Sequence, residues 1–303
     1  MRNTFINSLC ELARAHDDIF LMCGDLGYSV LEPFAEQFPE RFLNAGIAEQ
    51  NMTEMAVGLA REGYNVFTYS IGNFPTLRCM EQIRYDVCYH DANVKIIAVG
   101  GGYAYGALGV SHHTTEDIAM LRSIPNMLVT APADPHEARS IAKYLVSHRG
   151  PAYVRLNKAG EPMIHRGEVD VQPGRLITVR EGAGVAVLTT GAVLDGAIRQ
   201  IDEAGRPWAV YSCPMLSAFD TETMCSLARR FDCIVTMEEH QLAGGFGSAV
   251  LECLSDLRAQ GRIASMPIVR RVGIPNKFIG YAGTQEYLRM KAGVDLGRIL
   301  ENA

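Results

Sequence analysis

The run Asn44-Ala45-Gly46-Ile47-Ala48-Glu49-Gln50-Asn51-Met52 places one carboxylate at the start of an apolar-striped segment. Phe42-Leu43 reads as a short strand before it, and from Gln50 to Arg61 the apolar positions Met52, Met55, Ala56, Leu59 and Ala60 recur at helical spacing. Glu49 therefore sits at a strand-to-helix turn. It is either a charge at a helix start, the commoner case on physical grounds, or a partly buried acid with a raised pKa. Further on, Ser111-His112-His113-Thr114-Thr115-Glu116-Asp117 carries two adjacent imidazoles. Neighbouring histidines do not share a helix face as i, i+4 metal ligands would, so metal binding is disfavoured. Two readings stand level: a helix-capping segment, or a pair of imidazoles at a strand's C-terminal edge.

The loop Gly100-Gly101-Gly102-Tyr103-Ala104-Tyr105-Gly106 follows a predicted strand, but Tyr105 stands where a dinucleotide fingerprint needs its third glycine, and no GK[ST] follows. It reads better as backbone that closely approaches a ligand or another chain. Asp25, in Gly24-Asp25-Leu26-Gly27, reads as a turn residue. Gly244-Gly245-Phe246-Gly247-Ser248, after Glu238-Glu239, reads as a tight turn with close helix–strand packing. The 8 cysteines include no CxxC pair, so a zinc or iron–sulfur site is not expected, and most read as buried thiols of a cytoplasmic protein.

These residues need a scaffold, and the pattern supplies one. Thr4–Ala15 is a predicted helix and Ile19–Cys23 a buried strand. Strands follow at Asn65–Tyr69, Val94–Val99, Met127–Thr130 and Ala152–Leu156, with helices near Thr76–Tyr89, Glu116–Arg122 and Pro135–Ser147 between them. Residues 161–180, rich in proline, glycine and polar side chains, form the expected linker between a domain at 1–160 and a second at 181–303. There the alternation restarts with strands at Val185–Thr189, Trp208–Tyr211, Ile234–Met237 and Ile268–Arg271 and helices at Ala192–Ala204, Glu222–Arg230, Gly247–Leu257 and the last residues. The expected fold class is α/β: two doubly covered, mostly parallel-sheet domains. A chain of 303 residues accommodates both, and a net charge of −6 without a basic run argues against nucleic-acid binding. The apolar runs are too short to span a bilayer, and the N-terminus has no signal-peptide core.

Taken together, the segments resemble the second half of a transketolase over almost the whole chain. Gly46-Ile47-Ala48-Glu49-Gln50-Asn51-Met52 is similar to that family's glutamate motif. Ser111-His112-His113, followed by Leu121-Arg122-Ser123-Ile124-Pro125, falls where the family has Thr-His-Gln, and Pro132-Ala133-Asp134 is similar to its Pro-Ala-Asp turn. Thr236-Met237-Glu238-Glu239-His240 and Ala243-Gly244-Gly245-Phe246-Gly247-Ser248-Ala249 resemble the family's C-terminal domain. Deoxyxylulose-phosphate synthases and the β subunits of 2-oxo-acid dehydrogenases share the architecture.

The resemblance implies a pyrimidine-binding domain, then a transketolase C-terminal domain, and thiamine diphosphate as cofactor. It implies that Glu49 bonds ring nitrogen N1′ of the aminopyrimidine, which favours the imino tautomer whose N4′ takes the C2 proton. Ile47, Phe74, Arg78 and Tyr69 are the implied cofactor neighbours, with Phe74 and Tyr69 rivals for stacking on the pyrimidine. His112, with His113, is the implied group at reacting hydroxyls. Lys158 falls where the family commonly has a phosphate-binding arginine. Leu108 replaces a sugar-reading aspartate, so the acceptor pocket is expected to be less polar. The family's Gly-Asp-Gly…Asn motif for diphosphate and Mg²⁺ is absent, since Leu26 breaks the one near match. The implied enzyme is split: this chain dimerises and a separate N-terminal subunit holds the diphosphate and Mg²⁺. It transfers a two-carbon ketol unit from a ketose to an aldehyde acceptor. The alternatives are a subunit of a 2-oxo-acid-decarboxylating synthase or dehydrogenase, and a non-catalytic partner that keeps the fold.

Overall fold

The computed structural model describes residues 1–301; the last two positions of the expected second domain lie outside the described residues. The first domain is a six-stranded sheet in the order β2-β1-β3-β4-β6-β5. Its strands are β1 (Ile19–Cys23), β2 (Phe42–Asn44), β3 (Asn65–Ile71), β4 (Val94–Val99), β5 (Leu128–Thr130) and β6 (Ala152–Leu156). Every pairing is parallel. Strands buried on both faces read as continuous apolar runs, and all five residues of β1 and all six of β4 are buried. Parallel pairing needs helical crossovers, which bring every strand's C-terminal end to one edge. Cys23 pairs with both Asn44 and Tyr69, and Val99 pairs with Ile71 and Leu156. The loops after β1, β2, β3, β4 and β6 therefore open on a single edge.

The helix Glu49–Arg61 buries Glu49, Met52, Thr53, Ala56 and Val57. The stripe runs through Thr53 and Val57, whereas Met55 is exposed, so the face is rotated from the one read in the sequence toward Glu49 itself. Thr53 allows this because its hydroxyl donates to the Glu49 carbonyl at 2.8 Å and needs no water. The helix predicted at Thr76–Tyr89 is broken in type: a 3₁₀ turn, a short α turn and a π segment at Ile83–Cys88 follow one another.

The second domain holds β7 (Ile177–Arg180), β8 (Val185–Thr189), β9 (Ala209–Ser212), β10 (Cys233–Gln241) and β11 (Ile268–Ile274), ordered β11-β10-β8-β9-β7. The end of the expected linker is thus corrected: 177–180 is an edge strand, antiparallel to β9. Its residues alternate no better than half-buried, which is why composition read them as linker. The rest of the connection is strapped down. Asp134 caps the helix Pro135–Ser147 through the Glu137 N–H (2.9 Å), and its other oxygen accepts from Ile164 and His165 N–H at 2.9 and 2.8 Å.

The two domains share backbone bonds and a core. Ala131 N–H donates to Pro214 at 2.8 Å and Leu216 N–H to Val129 at 2.7 Å. Leu121, Val129 and Tyr153 of the first domain pack in one apolar cluster with Leu216, Phe219 and Phe246 of the second. Among the described residues no helix is long and apolar enough to cross a membrane.

Candidate active site

Glu49 opens its helix directly after the exposed loop that follows β2, and its side chain is only 2 % exposed. The burial anticipated from the sequence is there. The carboxylate is also paired: Oε2 accepts from Arg78 Nη1 at 2.7 Å, and Arg78 is half exposed. From this pair the site runs outward as a chain of side chains. The Arg78 guanidinium carbon lies 5.1 Å from the Phe74 ring centre. Phe74 meets His112 edge-on at 5.4 Å, and His112 meets Tyr105 at 6.5 Å. Lys158 Nζ lies 5.4 Å from the Tyr105 ring centre. Four loops of one sheet edge thus bring together Glu49, Phe74, Arg78, His112 and Lys158.

Local chemistry fixes this arrangement. Asn73 Nδ2 donates to the carbonyls of His113 (2.6 Å) and Ser111 (3.3 Å), tying the loop after β3 to the histidine segment. Ser111 Oγ lies 3.0 Å from His112 Nδ1, and Nε2 carries no hydrogen bond among the described residues. His113 is different from His112. It is buried, meets Tyr103 edge-on at 5.0 Å, and burial pulls its pKa below the usual histidine range. It packs behind the segment that presents His112.

One sequence expectation is corrected here. Tyr69 does not compete with Phe74, because it is 2 % exposed and points into the core on the opposite face of the sheet, beside Cys23, Leu31 and Phe67. Strand alternation decides this: Tyr69 shares a face with Phe67, away from the Glu49 helix. The glycine loop packs closely on this chain's own second domain. Gly102 has φ +64°, and a Cβ there would lie 2.5 Å from the Glu239 carboxyl of this chain's second domain. Tyr103 N–H donates to that carboxylate at 2.6 Å. Ile47 stands on the surface, 78 % exposed, at the rim of the Glu49 pocket.

The sequence reading missed several members of the site. The orphaned hydroxyl of Ser70, buried and without a partner, and the carbon chain of Glu49 both border the space a Cβ on Gly24 would fill, at 3.5 and 3.6 Å. Asp25 is in a turn as read, at φ +56°, but it is also clasped by Asn44, which donates to its carboxylate at 3.0 Å and accepts from its N–H at 3.1 Å. The signal lay in the pairing of β1 with β2, which no local pattern displays. Between the domains lies a buried network. Arg155 donates to Asp117 (2.7 Å) and to the Glu239 and Thr114 carbonyls, while Gln285 and Arg289 hold the Glu239 carboxylate. The Gly245–Gly247 turn packs closely as expected: Phe246 and Gly247 N–H donate to the buried Glu238 carboxylate at 2.6 and 2.7 Å.

Among the described residues no three His, Cys, Asp or Glu side chains converge as a metal site. A cleft of about 830 Å³ lies between the domains beside Arg122, Leu128, His148 and Phe219. It opens near the N-terminal ends of β5 and β6, the edge opposite Glu49, and none of the chemistry above faces it.

The architecture has relatives. The family model for the transketolase pyrimidine-binding domain matches residues 1–161, and that for the transketolase C-terminal domain matches residues 174–299. A subunit of the apulose-4-phosphate transketolase from Phocaeicola vulgatus is 34 % identical over 94 % of this chain and 90 % of its own. A 6-deoxy-6-sulfo-D-fructose transketolase subunit from a Clostridium species is 32 % identical over 100 % of this chain and 93 % of its own. Among solved structures, a split-gene transketolase described as an inactive β4 tetramer superimposes with a TM-score of 0.86 at 34 % identity, covering 99 % of this chain and 95 % of that one. With both domains matched end to end and Glu49 buried at the edge where the pyrimidine-binding fold opens, the chain belongs to the transketolase family.

Proposed function

We propose that this chain is the C-terminal subunit of a two-subunit transketolase that moves a two-carbon ketol unit from a ketose to an anionic aldehyde acceptor. Thiamine diphosphate, when bound, supplies the carbon nucleophile for that transfer. The residues present fit the group's pyrimidine end. Glu49 Oε1 carries no hydrogen bond among the described residues, Ser70 Oγ is an orphan beside it, and Gly24 keeps the space between open. The diphosphate end has no counterpart here, so a partner subunit would hold it with Mg²⁺. Glu49 would exchange a proton at ring nitrogen N1′ through Oε1. Phe74, placed over Arg78, would offer its face to the pyrimidine. His112, through Nε2, would deliver or accept a proton at the substrate's hydroxyl oxygen. Lys158 would neutralise the acceptor's anionic group as a single point charge.

The observation that carries this reading is the burial of Glu49 at the sheet edge with one carboxylate oxygen left free. Two of the relatives are named for ketoses bearing phosphate or sulfonate, which accords with a cation at Lys158. The test is turnover by the co-expressed complex with ketose donors, while CO₂ release is followed. Ketol transfer without CO₂ supports the proposal; decarboxylation of a 2-oxo acid would replace it. A complex that binds thiamine diphosphate and turns nothing over would leave a non-catalytic partner.

A further inference from the structure

Arg78 stands in a position that the ketol-transfer chemistry alone does not require. Its half-exposed guanidinium bonds one oxygen of a carboxylate that is almost fully buried. It engages only Oε2, and Phe74 supports it from one side at 5.1 Å. Glu49 Oε1, the other oxygen, is the one left for a ligand. The remaining titratable groups around the carboxylate do not offset the cation. Cys79 is buried, its thiol pushed up to about 11 chiefly by desolvation, and so is neutral at physiological pH. Glu54 and Asp25 are further carboxylates, on the helix and on the neighbouring turn. Arg78 is the one cation in ion-pair contact with Glu49 among the described residues.

We propose that Arg78 is a positioning residue for Glu49: it fixes the carboxylate through Oε2, holds its negative charge in place, and leaves Oε1 to accept from a protonated ring nitrogen of the bound pyrimidine. The inference rests on the reading that this site takes an aminopyrimidine cofactor. The proton balance is simple. The carboxylate held by Arg78 brings no proton, so the proton on N1′ comes from solvent on binding, and Glu49 Oε1 accepts from it and exchanges it during turnover. Apart from that N–H bond, made as a solvent or buffer acid gives up its proton, no covalent bond is formed or broken, and Arg78 keeps its charge throughout. Without Arg78 the buried carboxylate loses the counter-charge that faces it, so less of the N1′ proton would be drawn from solvent on binding.

Proton uptake on binding separates these cases. The assembled two-subunit complex is titrated calorimetrically with thiamine diphosphate, and with the analogue whose N1′ is replaced by CH, in buffers of different ionisation enthalpy. The analogue carries the same diphosphate and cancels its protons. The wild type should take up about one more proton with the cofactor than with the analogue. In Arg78→Gln, which keeps a donor but not the charge, and in Arg78→Met, that excess should fall toward zero. Arg78→Lys should restore most of it. An unchanged excess in both uncharged variants would overturn the proposal. Failure of the wild-type complex to bind the cofactor, or to distinguish it from the analogue, would instead overturn the cofactor reading and leave Arg78 out of the matter. If Arg78→Met does not assemble, Arg78→Gln against Arg78→Lys decides alone.

Discussion

Glu49, His112 and Lys158 occupy one edge but stand at different depths, and depth sorts what each should do. Glu49 is walled in, so its substitution acts on proton exchange rather than on folding. Glu49→Gln keeps shape and hydrogen-bond reach to Arg78's neighbourhood but cannot exchange a proton. The co-expressed complex should assemble normally and lose about 10²-fold or more in kcat, and turnover within a few-fold of wild type would remove Glu49 from the mechanism. His112 is half-buried with Nε2 left without a hydrogen bond among the described residues, and a proton donor matters most as charge develops on oxygen; His112→Ala should lower kcat. Lys158 Nζ lies against the Tyr105 ring, and its contact with an anion would exist equally before and during reaction. Lys158→Ala should therefore raise the acceptor's KM by roughly 5- to 30-fold with kcat little changed. An unchanged KM for an anionic acceptor would show that Lys158 does not read the anion. Steady-state kinetics on the two variants, run side by side, give both answers.

Among the elements, the strap after β6 and the glycine loop make the clearest predictions. His165 bonds Glu137 at 2.9 Å in the strap that crosses the helix Pro135–Ser147. Burial opposes its protonation, but the Glu137 hydrogen bond and charge outweigh it, so its folded pKa is raised. A group raised in the folded state stabilises fully below its unfolded value, near 6.5, and loses that contribution as pH rises through the folded value. The melting-temperature gap between wild type and His165→Gln should thus be widest in mild acid and narrow above neutrality. Lys95 has the opposite sign. Burial, helped by the charge of Arg149, lowers it to about 7, so stability gains with pH from there toward the unfolded lysine value. Taking the wild type minus the His165 variant cancels that slope; a gap independent of pH would refute the latch. At Gly102, a side chain meets both a positive φ and the Glu239 carboxyl, so Gly102→Ala should cost about 1–3 kcal/mol and loosen the domain seam, read from denaturant unfolding. Element type was legible in the sequence because parallel strands are apolar throughout and their crossover helices are amphipathic: β4, β6 and the helix Pro135–Ser147 fall where the pattern puts them. What did not show was whatever depends on a distant partner. β7 is an edge strand with a mixed pattern, Tyr69 and Phe74 differ only in which face of a strand or loop they take, and the glycine loop's true neighbour lies 136 residues away at Glu239.

At the scale of the whole molecule, the site edge is dressed for contact. Ile47, Leu77, Leu108, Val110 and Phe278 are exposed by 78, 45, 56, 55 and 79 %, and they cluster around the loops that carry Glu49 and His112. Leu77, Val110 and Phe278 border one small cavity with Asn73 and His113, so part of this apolar rim is continuous across both domains. Apolar side chains grouped at a functional edge mark a surface that another chain covers. The expected assembly pairs a core of this chain with a partner that carries the diphosphate half, most simply two of each. Magnesium-dependent thiamine diphosphate binding should then be absent from the purified single chain and present in the complex; tight Mg²⁺-requiring binding by the single chain would place the metal site here and end the split reading. The rim can be tested without touching Glu49 or Arg78. Leu108 and Val110 have about half their surface in water, so the Leu108→Glu/Val110→Glu double variant should leave the isolated chain's melting temperature within a degree or two. Each new carboxylate, however, would have to be desolvated without a partner when the second subunit docks. Sizing of co-expressed material should show the double variant as this chain alone, with the partner eluting separately. Full-size complex at wild-type yield would show that the partner seats elsewhere, and that these side chains are exposed for a reason unconnected with assembly.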